Sequence, residues 1–335
     1  MCSNSRPGES RHISARRKTV AAMPPRGLAV GVFLLLVALS GCGGDRGNRN
    51  QAGAATPRVQ GTAGFPRPAS RSLRELIRNM PRGPELAVGV SLLEPGRNRL
   101  AFGLFDRGSR QIGDLRVGVY VAKGLDEAAH GPWPARYEQI SVKPRYRSKT
   151  AERDPNAVHS FYLAQPSFPD AGTYTITAIA ELGGSLVVTA PAQVTVAPSS
   201  VPGTGDRAVP IHTPTAVSVG RPLAGTVDFA DALRRHRPIL LLFATPTHCE
   251  NRVCGPVADV AEQVKARYGG RVDFIHVGIY NDNDPSKGTL PQVRAWHIPS
   301  EPFAFAINAG GRVAARLEGP FNVPELLAAV RRALR

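Results

Sequence analysis

The hydrophobic pattern of this chain changes period once, and that change constrains the fold more than any other feature. Between Glu85 and Pro198 the apolar residues fall in about seven short runs: ELAVGVSLL, NRLAFGLF, DLRVGVYVA, RYEQISVKPRY, VHSFYLA, TYTITAIAEL and SLVVTAPAQVTV. They are rich in Val, Ile, Tyr and Thr and bounded by Gly, Pro and Asp, which predicts an all-β sandwich over 85–198. A Pro, Ser and Gly-rich stretch follows, predicted as a linker over 199–219. From residue 220 to 335 helix and strand alternate: a helix over Asp228–His236, a buried strand over Pro238–Ala244 and an amphipathic helix over Val253–Tyr268. Then come a strand over Val272–Tyr280, a short helix over Leu290–Trp296, a hairpin of Phe303–Ile307 with Val313–Leu317, and a last helix over Val323–Leu334. That order predicts an α/β domain. The 335 residues, with 34 Gly and 30 Pro gathered in patches, suit two domains joined by linkers.

Upstream, Leu28–Leu39 (LAVGVFLLLVAL) is an apolar run preceded by Arg16, Arg17, Lys18 and Arg26. This is the arrangement of a secretory signal, too short for a comfortable membrane span. The run ends in Leu39-Ser40-Gly41-Cys42, which resembles a bacterial lipobox. The resemblance implies cleavage of residues 1–41, lipidation of Cys42, and a place on the extracytoplasmic face of the cell membrane with lipid as a partner. Met23 is an alternative start, and Arg16-Arg17 fits a twin-arginine signal poorly. Residues 42–84, rich in Gly, Arg, Asn and Pro, are expected to form a flexible tether. Within it Ser72 and Glu75 make a capping box ahead of Leu73, Leu76, Ile77 and Met80, so a short helix is expected to pack on the next domain or lie on the membrane surface.

The formal charge of +16 comes with arginines that are scattered rather than clustered among aromatics. Behind an export signal this argues against nucleic-acid binding. The Ala, Arg, Gly and Pro bias with little Lys matches a GC-rich coding sequence. Among the β runs, Pro169-Asp170-Ala171-Gly172-Thr173-Tyr174 resembles the tyrosine corner of immunoglobulin-like domains. Ile176 stands where that family has its second cysteine, so the resemblance carries architecture only. His130 and Trp133, in what reads as the loop AAHGPWPARY, are either packed or a contact surface.

Removing Cys2 and Cys42 from the four cysteines leaves Cys249 and Cys254, five positions apart in an oxidising compartment, where they should pair. Phe243-Ala244 precedes them, Pro256 and Asp259 follow Phe243 by thirteen and sixteen residues, and Trp296-His297-Ile298-Pro299-Ser300-Glu301-Pro302-Phe303 comes later. Together these resemble the thioredoxin family. The resemblance implies a cis Pro302 beside the sulfurs, with Glu301 and Pro302 facing substrate and Cys249 and Cys254 as nucleophile and resolving thiol. Four residues separate the cysteines where the family has two, Leu242 stands where it often has a buried acid, and a carboxylate at position 301 would disfavour thiolate.

Two functions follow. One is a thiol:disulfide oxidoreductase acting on exported protein thiols or disulfides. The other is a non-catalytic binding or scaffold lipoprotein whose cysteine pair is a structural staple. No P-loop, zinc-ligand quartet or serine triad is visible, and no cofactor is expected. His248 beside Cys249 raises a copper(I) site, but no second histidine is placed to complete it.

Overall fold

The structure, a computed structural model, describes residues 61–149, 152, 157–213, 227–249 and 252–335. The signal over 1–41, Cys42 and the first part of the tether lie outside these residues.

From residue 61 the chain is laid against the β part rather than free of it. Ser72 caps helix α1 (Leu73–Ile77): its hydroxyl accepts from the Glu75 amide while the Glu75 carboxylate accepts from the Ser72 amide. The capping places Leu73 and Leu76 on one face, buried with Phe65 against Tyr120, Ala122, Ile179 and Val188. The Tyr120 hydroxyl donates to the Pro66 carbonyl at 2.7 Å. The tether expected over 42–84 is therefore packed chain in its described part, because Phe65, Leu73 and Leu76 give it apolar anchors. The helix face that could have met a membrane is spent on this contact.

The β part comprises β1 (Glu85–Val88), β2 (Gly96–Arg97), β3 (Leu100–Phe105), β4 (Val117–Ala122) and β5 (His130–Gln139). It continues with β6 (Ser160–Ala164), β7 (Ser167–Phe168), β8 (Gly172–Leu182), β9 (Ser185–Val188) and β10 (Ala192–Val196). Strands β2 and β7 pair with each other; the rest form one sheet in the order β1-β3-β6-β5-β4-β8-β10, with β9 on β8. Strand β5 makes it one sheet. Residues 130–135 pair with β4 and residues 136–139 with β6, so the sheet curls over its own core of Leu100, Phe102, Val119, Tyr162, Tyr174 and Ile176. The loop expected at AAHGPWPARY is therefore strand, with Trp133 packed on that core and His130 exposed. Pro132 and Pro134 disguise it, since proline removes ladder donors and reads as a breaker. Tyr174 is buried, its hydroxyl 2.6 Å from the Asp170 carboxylate and 3.2 Å from the Asp170 carbonyl, which ties down the turn into β8.

The second part contains α2 (Phe229–Arg234), β11 (Ile239–Phe243), α3 (Cys254–Tyr268), β12 (Asp273–Val277), α4 (Pro291–Ala295), β13 (Phe303–Ile307), β14 (Val313–Glu318) and α5 (Val323–Ala333). Its sheet runs β12-β11-β13-β14, with β12 parallel to β11 and the other neighbours antiparallel. The apolar run of β11 is buried on both faces: Leu240 and Leu242 join the core under α3 and α5, while Ile239, Leu241 and Phe243 join Phe229, Trp296 and Phe305 opposite. The linker expected over 199–219 is packed as far as Thr213. Val201 and Ala208 are buried beside this sheet, and Gly205 N–H donates to the Val313 carbonyl at 2.8 Å. Residues 214–226 lie outside the described chain.

The two parts share a core. Ala101, Ile140, Phe161 and Leu163 of the β part cluster with residues of α3 and α5. All described residues fall in one compact unit.

Candidate functional site

The site grows from the end of β11. Ala244 N–H donates to the Val277 carbonyl at 3.1 Å, and the buried Thr245 hydroxyl accepts from Ile279 N–H at 2.9 Å, so the chain leaves the sheet at a fixed point. A turn closed by His248 N–H to the Thr245 carbonyl, at 3.0 Å, brings it to Cys249. Cys249 and Cys254 form a disulfide with a Cα–Cα distance of 5.9 Å. Their environments differ. Cys249 is half-buried, while Cys254 is 0 % exposed within the apolar cluster that includes Leu242 and Val257. Cys254 N–H also donates to Cys249 Sγ at 3.2 Å. The first sulfur thus receives an amide at the N-terminal end of a helix of 15 residues, where unpaired N–H groups and the helix dipole favour negative charge.

The loop before β13 closes the site. The Glu301–Pro302 peptide is cis, and Phe303 pairs with Phe243. The Glu301 carboxylate accepts from Thr245 N–H and lies with both sulfurs in a cluster whose ligand-type atoms are all within 4.8 Å of one another. Of the residues singled out from the sequence, Cys249, Cys254, Glu301 and Pro302 therefore meet at one place; Cys42 lies outside the described chain. With the sulfurs bonded to each other, neither is available as a thiolate ligand. A second grouping of His212, Asp228 and Asp231 is a helix cap, in which Asp228 accepts from the Asp231 and Thr213 amides.

Two buried titratable groups stand behind the site. His276 on β12 donates from Nε2 to the Ala244 carbonyl at 2.7 Å, and burial holds its pKa below the ordinary value against that bond; Nδ1 has no partner among the described residues. Glu318 at the end of β14 accepts from the Ser91 amide, from the Ser91 hydroxyl at 2.6 Å and from Leu92 N–H at 3.2 Å. Burial pushes its pKa up in spite of those donors and of Arg316. The next residue, Gly319, donates to the Pro302 carbonyl at 2.9 Å, so this corner of β14 holds both the cis-proline loop and the β part.

A cleft of about 230 Å³ adjoins Glu301, lined by Ile279, Tyr280, Val293, Ile298 and Pro299. A second groove, of about 640 Å³, runs from β1 and β3 to Arg252 and Val253. Val158 N–H of the β part donates to the Arg252 carbonyl at 3.3 Å, directly on the turn between the cysteines. Thr245, Val158 and Glu318 are the site residues that sequence reasoning missed. Thr245 had a signal, as a hydroxyl between a buried strand and a cysteine turn; Val158 and Glu318 act across the two parts and have none.

No family model matches this chain, and no curated protein sequence does. A search of solved structures returns a thiol:disulfide interchange protein of the thioredoxin family from Chlorobium tepidum TLS, 19% identical, covering 39% of this chain and 99% of that one at a TM-score of 0.28.

Proposed function

We propose that this protein is a membrane-anchored thiol:disulfide oxidoreductase outside the cytoplasm, held through lipidated Cys42, in which an immunoglobulin-like β-sandwich carries a thioredoxin-like domain. The observation that carries the reading is the asymmetry of the disulfide: a reachable sulfur that accepts a helix-terminal amide, bonded to a fully buried partner. A reachable thiolate attacks a substrate disulfide and a shielded second thiol resolves the mixed disulfide, so Cys249 is the nucleophile and Cys254 the resolver. The Glu301–Pro302 loop forms the wall against which substrate sulfur is presented, and the partners are exported proteins with thiols or disulfides.

The scaffold alternative makes the same bond a staple. Across a sequence separation of 5 it closes a very short loop, and chain entropy then contributes only about 2 kcal/mol. That is a modest return for cysteines placed beside a carboxylate and two open clefts.

The test is reactivity. After mild reduction, alkylation should label Cys249 first and with a depressed pKa; Cys249→Ser should abolish insulin reduction, and Cys254→Ser should accumulate mixed disulfides. Equal labelling of both thiols, with a potential below about −300 mV, would leave the staple standing. The anchor has its own test: Cys42→Ala should move the protein out of the membrane fraction.

A further inference from the structure

The buried thiol raises a question of proton transfer that the fold itself answers. Cys254 has no exposed surface, so when its thiol re-forms the disulfide the proton passes to a protein group and not directly to water. Among the described residues, no His, Asp or Glu other than Glu301 joins the cluster of the two sulfurs. Among the described residues the neighbouring elements supply no substitute: Asp259 on α3 is engaged by the Ser148 amide and hydroxyl. On β11 Leu242 is apolar, and on β12 the His276 imidazole is bonded to Ala244 and kept neutral by burial. Glu318 on β14 is occupied by the amides and hydroxyl of Ser91 and Leu92. On the turn His248 is exposed with its ring 6.4 Å from that of Tyr280, and Arg252, also exposed, is a permanent cation.

We propose that Glu301 is the proton acceptor for Cys254 when the mixed disulfide is resolved. The proposal rests on the oxidoreductase reading above and adds a residue to it. In the mixed disulfide, Cys249 Sγ is bonded to the substrate sulfur and Cys254 is a thiol. The Glu301 carboxylate takes the Cys254 proton; the sulfur's electron pair forms the Cys249–Cys254 bond; the bond from Cys249 to the substrate sulfur breaks. Its electron pair leaves on that sulfur, which takes the proton from Glu301. The protein dithiol loses two electrons and the substrate disulfide gains them. Thr245 N–H holds the carboxylate in place for both transfers.

The geometry permits the opposite effect, in which a fixed negative charge merely repels a thiolate, and the two differ in sign. The experiment uses protein with Cys2 and Cys42 replaced by serine, reduced and loaded at Cys249 with 2-nitro-5-thiobenzoate, and follows release of the coloured thiolate against pH. In the parent protein release should stay fast below neutrality. Glu301→Gln keeps an oxygen for Thr245 N–H, so the loop is preserved, yet release should slow at least about tenfold near pH 6 and converge with the parent toward an ordinary thiol pKa near about 8.5. Glu301→Asp should recover part of the loss. A Gln variant that releases as fast as the parent at every pH, or faster, overturns the assignment while leaving the oxidoreductase reading intact. A parent protein that never releases overturns both.

Discussion

His276 shows how a single buried side chain writes a pH dependence into the fold. Its imidazole is enclosed behind the end of β11, spans from β12 to the Ala244 carbonyl, and has its pKa lowered by burial. The unfolded chain binds a proton near the ordinary histidine pKa of about 6.5, while the folded chain resists until lower pH. Its contribution to stability is therefore full above about pH 6.5 and declines as pH falls through the window between the two pKa values, by at most about 1.4 kcal/mol per unit. His276→Gln keeps a donor toward Ala244 and removes the titration, so urea unfolding followed as pH falls below about 6.5 should lose this slope. An unchanged slope would place the titrating group elsewhere. Glu318 works in the other direction. Its raised pKa makes the folded state the better proton binder, so its cost grows as pH rises out of the ordinary carboxylate range and is complete above the folded pKa.

At the scale of elements, helix α1 is small and yet placed to matter, because Leu73 is fully buried at its first position against the curled sheet. Leu73→Ala should cost about 2–5 kcal/mol in chemical denaturation, a core-sized loss from a segment that composition marks as tether. A change below about 1 kcal/mol would mean that the strap is dispensable. The same helix shows what was legible beforehand. Ser72, Glu75 and the leucines form a local code, and both capping bonds are present. Strand β13 likewise occupies Phe303–Ile307 as its unbroken apolar run suggests. Strand β5 was illegible because Pro132 and Pro134 sit inside it, and residues 199–213 because two anchors, Val201 and Ala208, are too sparse to set a period. The site divides in the same way. Cys249, Cys254 and the Glu301-Pro302 pair are short motifs that can be read along the chain, whereas the Val158 amide on Arg252 and the Ser91 clamp on Glu318 join residues far apart in sequence and leave no local trace.

At the scale of the whole molecule, the β part is bonded extensively to the α/β part. Arg99, just before β3, makes a two-pronged pair with Glu325 in the first turn of α5, at 2.9 and 3.0 Å, and donates to the Glu318 carbonyl at 2.7 Å and to the Pro320 carbonyl. Asn322, which caps α5, donates to the buried Glu138 of β5 at 2.8 Å. Ser148 N–H donates to the buried Asp259 of α3 at 2.9 Å. Such polar contacts are costly to break one partner at a time, because the group left behind stays desolvated. Since Ala101, Phe161 and Leu163 also supply part of the core under α3 and α5, separating the parts would expose apolar surface on both. The folded body should therefore melt in a single cooperative transition, with matching calorimetric and van't Hoff enthalpies. Arg99→Ala removes one partner of a pair whose side chains are only 20% and 16% exposed, and should lower stability by about 3 kcal/mol while keeping the transition single. Two resolved transitions in the parent protein, or a loss confined to one part in the variant, would show that the parts fold independently. The contact of Val158 with the cysteine turn would then be incidental to the site.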